Sequence, residues 1–597
     1  YNLSQHPIEN AVMMTTRKYT FISFVASAVL GLLAAELYGS EPNAASLEVA
    51  IKSGDFAGYL ASANSWLNEK SPAKLDQGTL VTLLNDPVFL AVLDQRQLIA
   101  KTGADKLGAF AKADPANQAF LGWLLKNTPA MELYLEGAVP LSLAARDANN
   151  YALDVKALEI WERILMADPD SKDGLYLRLA IATALVPPGS INIGAGGAVK
   201  PADPVVRYKY YKTAHQKKEL FPSFDKLTVW ELTHIVSSGA SDDDLTWARG
   251  MVNNFRPDLR ADEMVVNSTS FVWRRASPFP YDNSFKNVLA GGGKCGPRSS
   301  WSVMVCHAFG IPAIGVGQPA HACVAYKATN PMTEPQPGSA WKVGFGRGWD
   351  VSKLLGMSGP QFLAGIEKRS DAVKFSAVEH LRWLAASLVA ADRASSVKEV
   401  ARTINDSIKT VKTDLTASLK PEEAEAEPGA KDTAKSGAVK TAPVAGSAEP
   451  LKALAGTFHI DASSFVKTGG VNSWGGQIPH VLVHDSYSGG KQVYFQQQMK
   501  EQWADYVLDV PADGTYEIVM KATCVNSDQI LEVCSGETRL AVVPIALSYG
   551  LWQETRPVEL KLAKGVQTLR VQTPKSLNAE NHERGIALRS FDIKAKS

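Results

Sequence analysis

The chain is poor in cysteine, with five cysteines among 597 residues. So few cysteines exclude the disulfide framework on which small secreted scaffolds depend. Cys295, Cys306 and Cys323 crowd one central stretch, whereas Cys524 and Cys534 lie in a later, β-rich part. The later pair fits one disulfide in an exported protein or two buried thiols, and the sequence leaves both open.

The chain also lacks an excess of charge of either sign. Its 62 Lys and Arg residues are matched by 61 Asp and Glu residues, which gives a formal net charge of +1. Proteins that bind nucleic acid or an anionic membrane surface through charge carry a basic excess. We therefore expect no nucleic-acid partner.

Long apolar runs are absent except for FISFVASAVLGLLAA at Phe21–Ala35. This run is shorter than the ~20 residues of a membrane span. It follows Arg17 and Lys18, as in a secretory signal peptide. We predict a signal peptide over residues 1–40, a secreted or periplasmic location, and membrane contact only through this segment. An uncleaved anchor and a buried core helix are the alternatives. Residues 1–12 are compatible with an upstream extension, because two methionines precede the basic pair.

The length of the chain exceeds the ~250–300 residues at which a single core stops growing, so several domains are expected. Apolar residues recur at three- and four-residue steps over residues 41–261, which predicts a helical domain. In the clearest pair of helices, Lys156–Leu185, the residues Leu158, Trp161 and Leu165 share one face. Ser241 and the acidic run after it are typical of a capped helix start.

The remaining segments differ from one another in composition. Residues 262–369 have a mixed α/β pattern, and residues 370–418 return to helix. Residues 419–450 contain no aromatic residue and are rich in Ala, Pro, Glu, Lys and Gly, which predicts a disordered linker. Residues 451–597 consist of short alternating runs, typical of a β-sandwich of about eight or nine strands.

The central stretch combines residues that suit thiol catalysis. A glycine run, Gly291–Gly293, permits a tight turn, and Cys295 follows it at the start of a predicted helix. A helix N-terminus stabilises a thiolate. His321 begins a predicted strand and Asp350 follows a later one. These three residues are candidates for a nucleophile, its base and an orienting acid. The backbone N–H of Cys295 is a candidate oxyanion donor, with Trp273 or Gln318 as the second.

This order of motifs resembles the transglutaminase-like superfamily of papain-like cysteine enzymes. The resemblance covers residues 262–360 and rests on GKC at a helix start, GIPAIGV, and HA at a strand start. It implies Cys295 as nucleophile, His321 as general base and acid, and an Asp on the next strand to orient the imidazole. Asp350 follows Trp349 directly and comes later than that pattern places it. The other two cysteines of this stretch, Cys306 and Cys323, are predicted to be packing residues.

The C-terminal part resembles galactose-binding-like β-sandwiches, in particular carbohydrate-binding modules. The resemblance rests on QWADYVLDVPADGTY, on the Trp552-Gln553 loop and on LAKGVQTLR. It implies glycan binding, and sugar rings stack on exposed aromatic side chains. Trp552, Trp474 and Tyr487 lie in loop-like contexts and are the candidates, although each is also a plausible packing residue.

We therefore expect a multidomain protein with a helical N-terminal region, an α+β papain-like core and a C-terminal all-β sandwich. The expected function is an exported cysteine enzyme that hydrolyses or transfers amide bonds of proteins or peptides through a thioester and is held on a glycan-bearing surface. The alternative is a non-catalytic binding or scaffold protein with a degenerate core. No cofactor and no metal site are expected.

Overall fold

The computed structural model describes residues 42–189, 202–263, 265–274, 284–327, 341–409, 449–472, 477–478, 480–496, 499–574 and 585–596. The predicted signal peptide and nearly all of the predicted linker lie outside these ranges. The chain forms two compact units. Of the described residues, the first contains those up to Met166 together with Asp371–Ile408, and the second contains those of Ala167–Ser370 and those after Ile408.

Helices dominate the described chain up to residue 308 and return after the central sheet. In chain order they are α1 (Ala44–Ser53), α2 (Phe56–Lys70), α3 (Gln77–Leu84), α4 (Pro87–Thr102), α5 (Ala104–Ala113), α6 (Pro115–Leu124), α7 (Thr128–Ala138), α8 (Leu143–Asp147), α9 (Val155–Ala167), α10 (Gly174–Leu185), α11 (Pro204–Gln216), α12 (Val229–Val236), α13 (Asp242–Phe255), α14 (Phe285–Gly291), α15 (Cys295–Ala308), α16 (Gly359–Glu367), α17 (Ala372–Ser387) and α18 (Ala391–Ser407). The predicted helical N-terminal region is confirmed. In the described part of the chain, no helix is both long and apolar enough to cross a bilayer.

The first unit joins two segments that are distant in sequence. Helices α1 to α9 supply its N-terminal segment, and α17 and α18 pack with them. The buried guanidinium of Arg146 donates to Glu379 of α17 at 2.5 Å, and Arg382 donates to the same carboxylate oxygen at 2.6 Å. The predicted helical domain, residues 41–261, is thus divided after Met166. Of the predicted helical segment, residues 370–418, the part Asp371–Ile408 belongs with the first part of that domain.

Local signals in the sequence account for many helix starts. Asp86 accepts a hydrogen bond from Val88 N at 2.9 Å before α4, and Ser241 accepts one from Asp244 N at 3.0 Å before α13. Such caps satisfy backbone N–H groups that have no partner within the helix. The predicted cap at Ser241 is confirmed. Asp242, which follows it, also pairs with the buried guanidinium of Arg207 at 2.7 Å.

The second unit contains a small antiparallel sheet in its central part. The strands are β1 (Ala313–Gln318), β2 (His321–Lys327), β3 (Trp341–Gly344), β4 (Lys353–Leu354) and β5 (Met357–Ser358), in the order β3-β2-β1-β4-β5. Helix α15 packs on β1 and β2. The mixed α/β character predicted for this region is therefore present.

The C-terminal part of the second unit is a β-sandwich, as its alternating pattern predicted. Its strands are β6 (Leu451–Lys452), β7 (Thr457–Asp461), β8 (Lys467–Asn472), β9 (Gln477–Ile478), β10 (Leu482–Asp485), β11 (Lys491–Phe495), β12 (Met499–Val510), β13 (Gly514–Cys524), β14 (Gln529–Ser535), β15 (Thr538–Ile545), β16 (Gln553–Glu554), β17 (Val558–Leu562), β18 (Gly565–Gln572) and β19 (Ile586–Ala595).

These strands form two seven-stranded sheets, which is more than the eight or nine strands expected. Part of the difference arises because three of the strands are only two residues long, and so short a run shows no alternating pattern in the sequence. Buried residues of both sheets share one core, in which the rings of Tyr506 and Phe591 meet edge to face at 5.0 Å.

Side chains fix the sandwich to the helices of the second unit. The donors reach backbone carbonyls across the joint: Trp247 Nε1 to Tyr549 O at 3.0 Å, Gln492 Nε2 to Asn254 O at 2.7 Å, and Asn526 Nδ2 to Phe271 O at 2.7 Å and to Leu289 O at 2.9 Å. The sandwich is therefore packed on these helices by hydrogen bonds as well as being joined to them by the chain.

Candidate functional site

A tight turn places the start of α15. Gly292 has φ +69°, and a Cβ atom there would lie 2.5 Å from Cδ1 of Trp273. Gly293 N donates to Trp273 O at 2.8 Å. Only glycine combines this left-handed backbone with so close an approach. The glycine run thus forms the predicted tight turn, and Cys295 follows shortly after it.

Cys295 is the first residue of α15. Its thiol is free and partly exposed, in contrast to the four other cysteines, which are buried. The preceding residue, Lys294, gives the helix no side-chain cap. The first N–H groups of the helix therefore stay without an internal partner beside the thiol. An uncapped helix start is the arrangement that favours a thiolate and binds a developing oxyanion.

Helix α15 is held firmly against the sheet. Ser299 Oγ donates to Cys323 O of β2 at 2.5 Å, and Trp301 Nε1 donates to Ser268 O at 3.1 Å. Trp301 is fully buried and meets the ring of Trp247 at 5.7 Å. The position of the thiol relative to β2 is thus set by buried contacts one and two turns farther along the helix.

His321 is the first residue of β2, as predicted, and a backbone carbonyl orients its ring. Nε2 lies 2.9 Å from the carbonyl oxygen of Phe345. Because a carbonyl oxygen only accepts, Nε2 carries the hydrogen, and Nδ1 is the acceptor in the neutral ring. Within the described residues Nδ1 makes no hydrogen bond, so it is open to take a proton.

Asp350 is not brought to His321. It lies exposed in a turn, and the orienting position on the imidazole is taken by the Phe345 carbonyl. Phe345 has φ +40°, a left-handed conformation that costs a non-glycine residue about 1–3 kcal/mol. The ring of Phe345 also meets the His321 ring edge to face at 6.2 Å.

Sequence reasoning missed Phe345 because a backbone carbonyl leaves no signature in residue type. The antiparallel pairing of β2 with β3 indicates which residue comes near His321. Gly344, the last residue of β3, is opposite Val324 of β2. The residue after Gly344 therefore continues toward the start of β2, where His321 lies.

A buried glutamine fixes the segment that carries Phe345. Gln318 Nε2 donates to Gly348 O at 2.9 Å and to Ser352 Oγ at 2.8 Å, and its Oε1 accepts from Arg347 N at 2.8 Å. The Gln318 amide is thus fully engaged and does not serve as the second oxyanion donor. Trp273, the other candidate, donates from Nε1 to Ala290 O at 3.4 Å.

The structure brings the elements that carry Cys295 and His321 together without joining the two side chains. No hydrogen bond links them in the described chain. Burial, followed by the charge of a Cys295 thiolate, raises the pKa of the nearby Cys323 to about 12. Burial also raises the pKa of Cys306. Both thiols are buried packing residues, as predicted.

The two later cysteines are buried thiols and form no disulfide. Cys524 Sγ lies 3.3 Å from Ser527 O, and burial raises its pKa to about 11. Of the two possibilities that the sequence left open, the structure shows the buried thiols.

The candidate sugar-binding aromatics fall in three different situations. Tyr487 is 51% exposed, but the guanidinium of Arg260 lies 4.8 Å from its ring centroid. Trp552 is partly exposed and follows the loop that contacts α13 through Tyr549. Trp474 lies outside the described residues. Unlike Tyr487, Trp552 has no cation over its ring in the described part of the chain, so it remains the candidate.

No family model matches the chain, and no curated protein matches it. Similar solved structures do exist. The C-terminal CBM6 of LamC, a laminarinase of Zobellia galactanivorans, is 16% identical with a TM-score of 0.18, and covers 23% of this chain and 98% of its own. CBM6cm-2 of Cellvibrio mixtus lichenase 5A, in complex with cellotriose, is 16% identical with a TM-score of 0.19, and covers 23% and 97%. A β-1,3-glucan-binding CBM6 from Bacillus halodurans is 14% identical with a TM-score of 0.20, and covers 25% and 100%.

Proposed function

We propose that the protein is an exported, transglutaminase-like cysteine enzyme that acts on amide bonds of proteins or peptides. The observation that carries the proposal is the placement of a free, partly exposed thiol on an uncapped helix start, packed on the strand that begins with His321. The tautomer set by Phe345 leaves Nδ1 of that histidine as the base.

The proposed reaction runs through a thioester. Nδ1 of His321 takes the proton of Cys295, and the thiolate attacks the amide carbonyl carbon to form a carbon–sulfur bond. The developing oxyanion is bound by the Cys295 backbone N–H. The carbon–nitrogen bond then breaks, and the imidazolium returns its proton to the leaving amine. Water or a second amine, deprotonated by the same histidine, attacks the thioester and releases the thiol.

The proposal is tested by alkylating the full chain with iodoacetamide at pH 6 and mapping each cysteine by mass spectrometry. Cys295 is expected to react faster than glutathione, because a stabilised thiolate is the reactive form. The buried thiols are expected to stay unlabelled, and Cys534→Ala serves as a control variant. If Cys295 were alkylated no faster than glutathione, the result would count against the proposal that the protein is a cysteine enzyme.

A second assay separates hydrolysis from transfer. Casein is incubated with the enzyme and a fluorescent primary amine. Incorporation of the amine indicates transfer, whereas new amino termini without incorporation indicate hydrolysis. Cys295→Ala is expected to abolish either signal.

The second candidate function is a non-catalytic binding protein with a degenerate core. It is favoured by the exposed position of Asp350 and by the missing hydrogen bond between Cys295 and His321. This alternative predicts slow alkylation of Cys295 and no product in the casein assay.

We also propose that the sandwich binds a glycan through Trp552, whose partly exposed indole offers a stacking face. Pull-down on insoluble cellulose, xylan and β-1,3-glucan tests this. Trp552→Ala is expected to lose binding, and Val566→Ala, a change at a residue 64% exposed, is the control. Equal binding by both variants would exclude Trp552 as the platform.

A further inference from the structure

Three side chains that the proposed reaction does not use converge inside the first unit. Asp94 lies on α4, Glu132 on α7 and His380 on α17. His380 Nε2 lies 3.1 Å from Asp94 Oδ1 and 3.9 Å from Glu132 Oε1. One ligand atom from each side chain lies within 4.8 Å of the other two.

The cluster is buried on one side and open on the other. The side chains of Asp94 and His380 are 0% and 4% exposed, and that of Glu132 is 32% exposed. Small ions can therefore reach the group from the side of Glu132.

One atom in the cluster has no partner. Asp94 Oδ2 is buried and accepts no hydrogen bond in the described chain. A buried acceptor without a donor is costly and uncommon in native proteins. The 3.1 Å contact of Oδ1 with His380 does not serve this second oxygen.

The orientation of His380 is typical of a metal ligand. Its Nδ1 lies 2.8 Å from Ser376 O, so Nδ1 carries a hydrogen and donates to that carbonyl. When the ring is neutral, the lone pair of Nε2 faces two carboxylates. Ligating histidines are commonly held in this way, with the remaining N–H donated to a backbone carbonyl.

We propose that Asp94, Glu132 and His380 form a binding site for a divalent transition-metal ion, with Zn²⁺ as the best fit. Tetrahedral ligands at about 2.0–2.1 Å from zinc lie roughly 3.3 Å apart, and the two contacts of Nε2 lie on either side of that value. One M²⁺ ion balances two carboxylates, and bidentate binding by Asp94 would also give its Oδ2 a partner. A proton on Nε2 of His380 would explain its contact with Asp94 Oδ1, but it would leave Asp94 Oδ2 without a partner. Imidazole disfavours Ca²⁺ and Mg²⁺.

The ion would act as a cross-link. Asp94 and Glu132 come from the N-terminal segment of the first unit, and His380 comes from its second segment. An ion that binds only the folded state raises the stability of that state. We therefore expect zinc to raise the melting temperature of the protein.

The test uses the purified full chain, stripped with a chelator and dialysed against ZnCl₂ alone. One zinc per chain is expected by elemental analysis, and it must persist in Cys295→Ala, which excludes the thiol as its ligand. Loss of even an outer-shell partner costs about 10–100-fold in metal affinity. Asp94→Asn and Glu132→Gln are therefore each expected to weaken zinc binding at least about tenfold.

Glu136→Gln, one turn farther along α7, is the matched control and should bind as the wild type does. Circular dichroism checks that Asp94→Asn folds, and the partly exposed Glu132→Gln decides if it does not. Absence of stoichiometric zinc, or unchanged affinity in Glu132→Gln, would overturn the proposal. So would a melting temperature that zinc does not raise.

Discussion

His321 depends on a carbonyl oxygen and not on a carboxylate for its orientation. The Phe345 carbonyl fixes the ring without adding negative charge beside it. A carboxylate in that place would both orient the ring and stabilise its protonated form. In the dyad of Cys295 and His321, the backbone therefore orients the imidazole, and Asp350 contributes no charge to it.

This arrangement predicts different effects for two substitutions at residues once expected to act together. Asp350→Asn should leave the alkylation rate of Cys295 at pH 7 within about twofold, since its side chain does not touch His321. His321→Ala should lower that rate at least about a hundredfold, the lower end of what a general base contributes. Iodoacetamide labelling followed by peptide mapping measures both. If Asp350→Asn proved as slow as His321→Ala, Asp350 would be restored as the third member.

Two buried histidines of the second unit make its stability sensitive to acid. Burial lowers the pKa of His234 to about 3 and that of His307 to about 4. Both values lie below the ordinary pKa of histidine, so the folded state binds fewer protons than the unfolded state between pH 6.5 and these values. Stability is full above pH 6.5 and falls as the pH drops. From pH 7 to pH 5 each histidine should remove about 2 kcal/mol.

His234→Phe is therefore expected to reduce the loss of stability between pH 7 and pH 5 by about 2 kcal/mol. The ring of His234 packs against Trp230 at 4.5 Å, and phenylalanine keeps an aromatic ring there. Urea unfolding at pH 7 and pH 5 measures the difference. His459→Phe, at an exposed position, is the control and should keep the full pH dependence. An unchanged slope in His234→Phe would contradict the assignment.

At the scale of elements, the connection after β3 matters as much as the strands it joins. A Cβ atom at Gly346 would lie 2.1 Å from Cγ1 of Val343 and 3.1 Å from Sγ of Cys323. No side chain fits in that space, so this connection keeps its path only with glycine. The path in turn sets where the Phe345 carbonyl lies.

Gly346→Ala should therefore affect stability and the dyad together. Overpacking of this kind costs about 1–3 kcal/mol, and the displaced carbonyl should slow alkylation of Cys295. Gly315→Ala in β1 is the matched control, because nothing lies within 4 Å of an added Cβ there. Urea unfolding and thiol labelling give the two measurements. If Gly346→Ala were destabilised but Cys295 were still alkylated at the wild-type rate, the path of this connection would not control the geometry of Cys295 and His321.

Helix α17 is joined to the N-terminal helices by buried charge. Glu379 is 1% exposed and accepts from both Arg146 and Arg382. Glu379→Gln would leave the buried Arg146 guanidinium without its anion, and breaking a buried pair costs about 3–5 kcal/mol. Urea unfolding should show that loss. Glu399→Gln, which breaks an exposed pair on α18, should change stability by less than about 1 kcal/mol.

For the whole molecule, the sequence was informative where residue type and period determine structure. The helical region, the β-sandwich, the turn at Gly292, the cap at Ser241 and the helix start at Cys295 all follow from such local signals. The sequence did not reveal the Phe345 carbonyl, because any residue has one. It did not reveal the cluster of Asp94, Glu132 and His380, because its members come close only through the packing of distant helices.

The composition of the first unit from two segments has a consequence for synthesis of the chain. The partners of Arg146 and Asp94 on α17 are made only after the ribosome has translated the intervening chain, Ala167–Ser370. At about 5–20 residues per second, Glu379 and His380 follow Arg146 by roughly 12–50 s. During that interval the N-terminal helices lack the surface that completes their core. The N-terminal helices thus finish folding only after Asp371–Ile408 has been made, and until then they are open to chaperones and proteases.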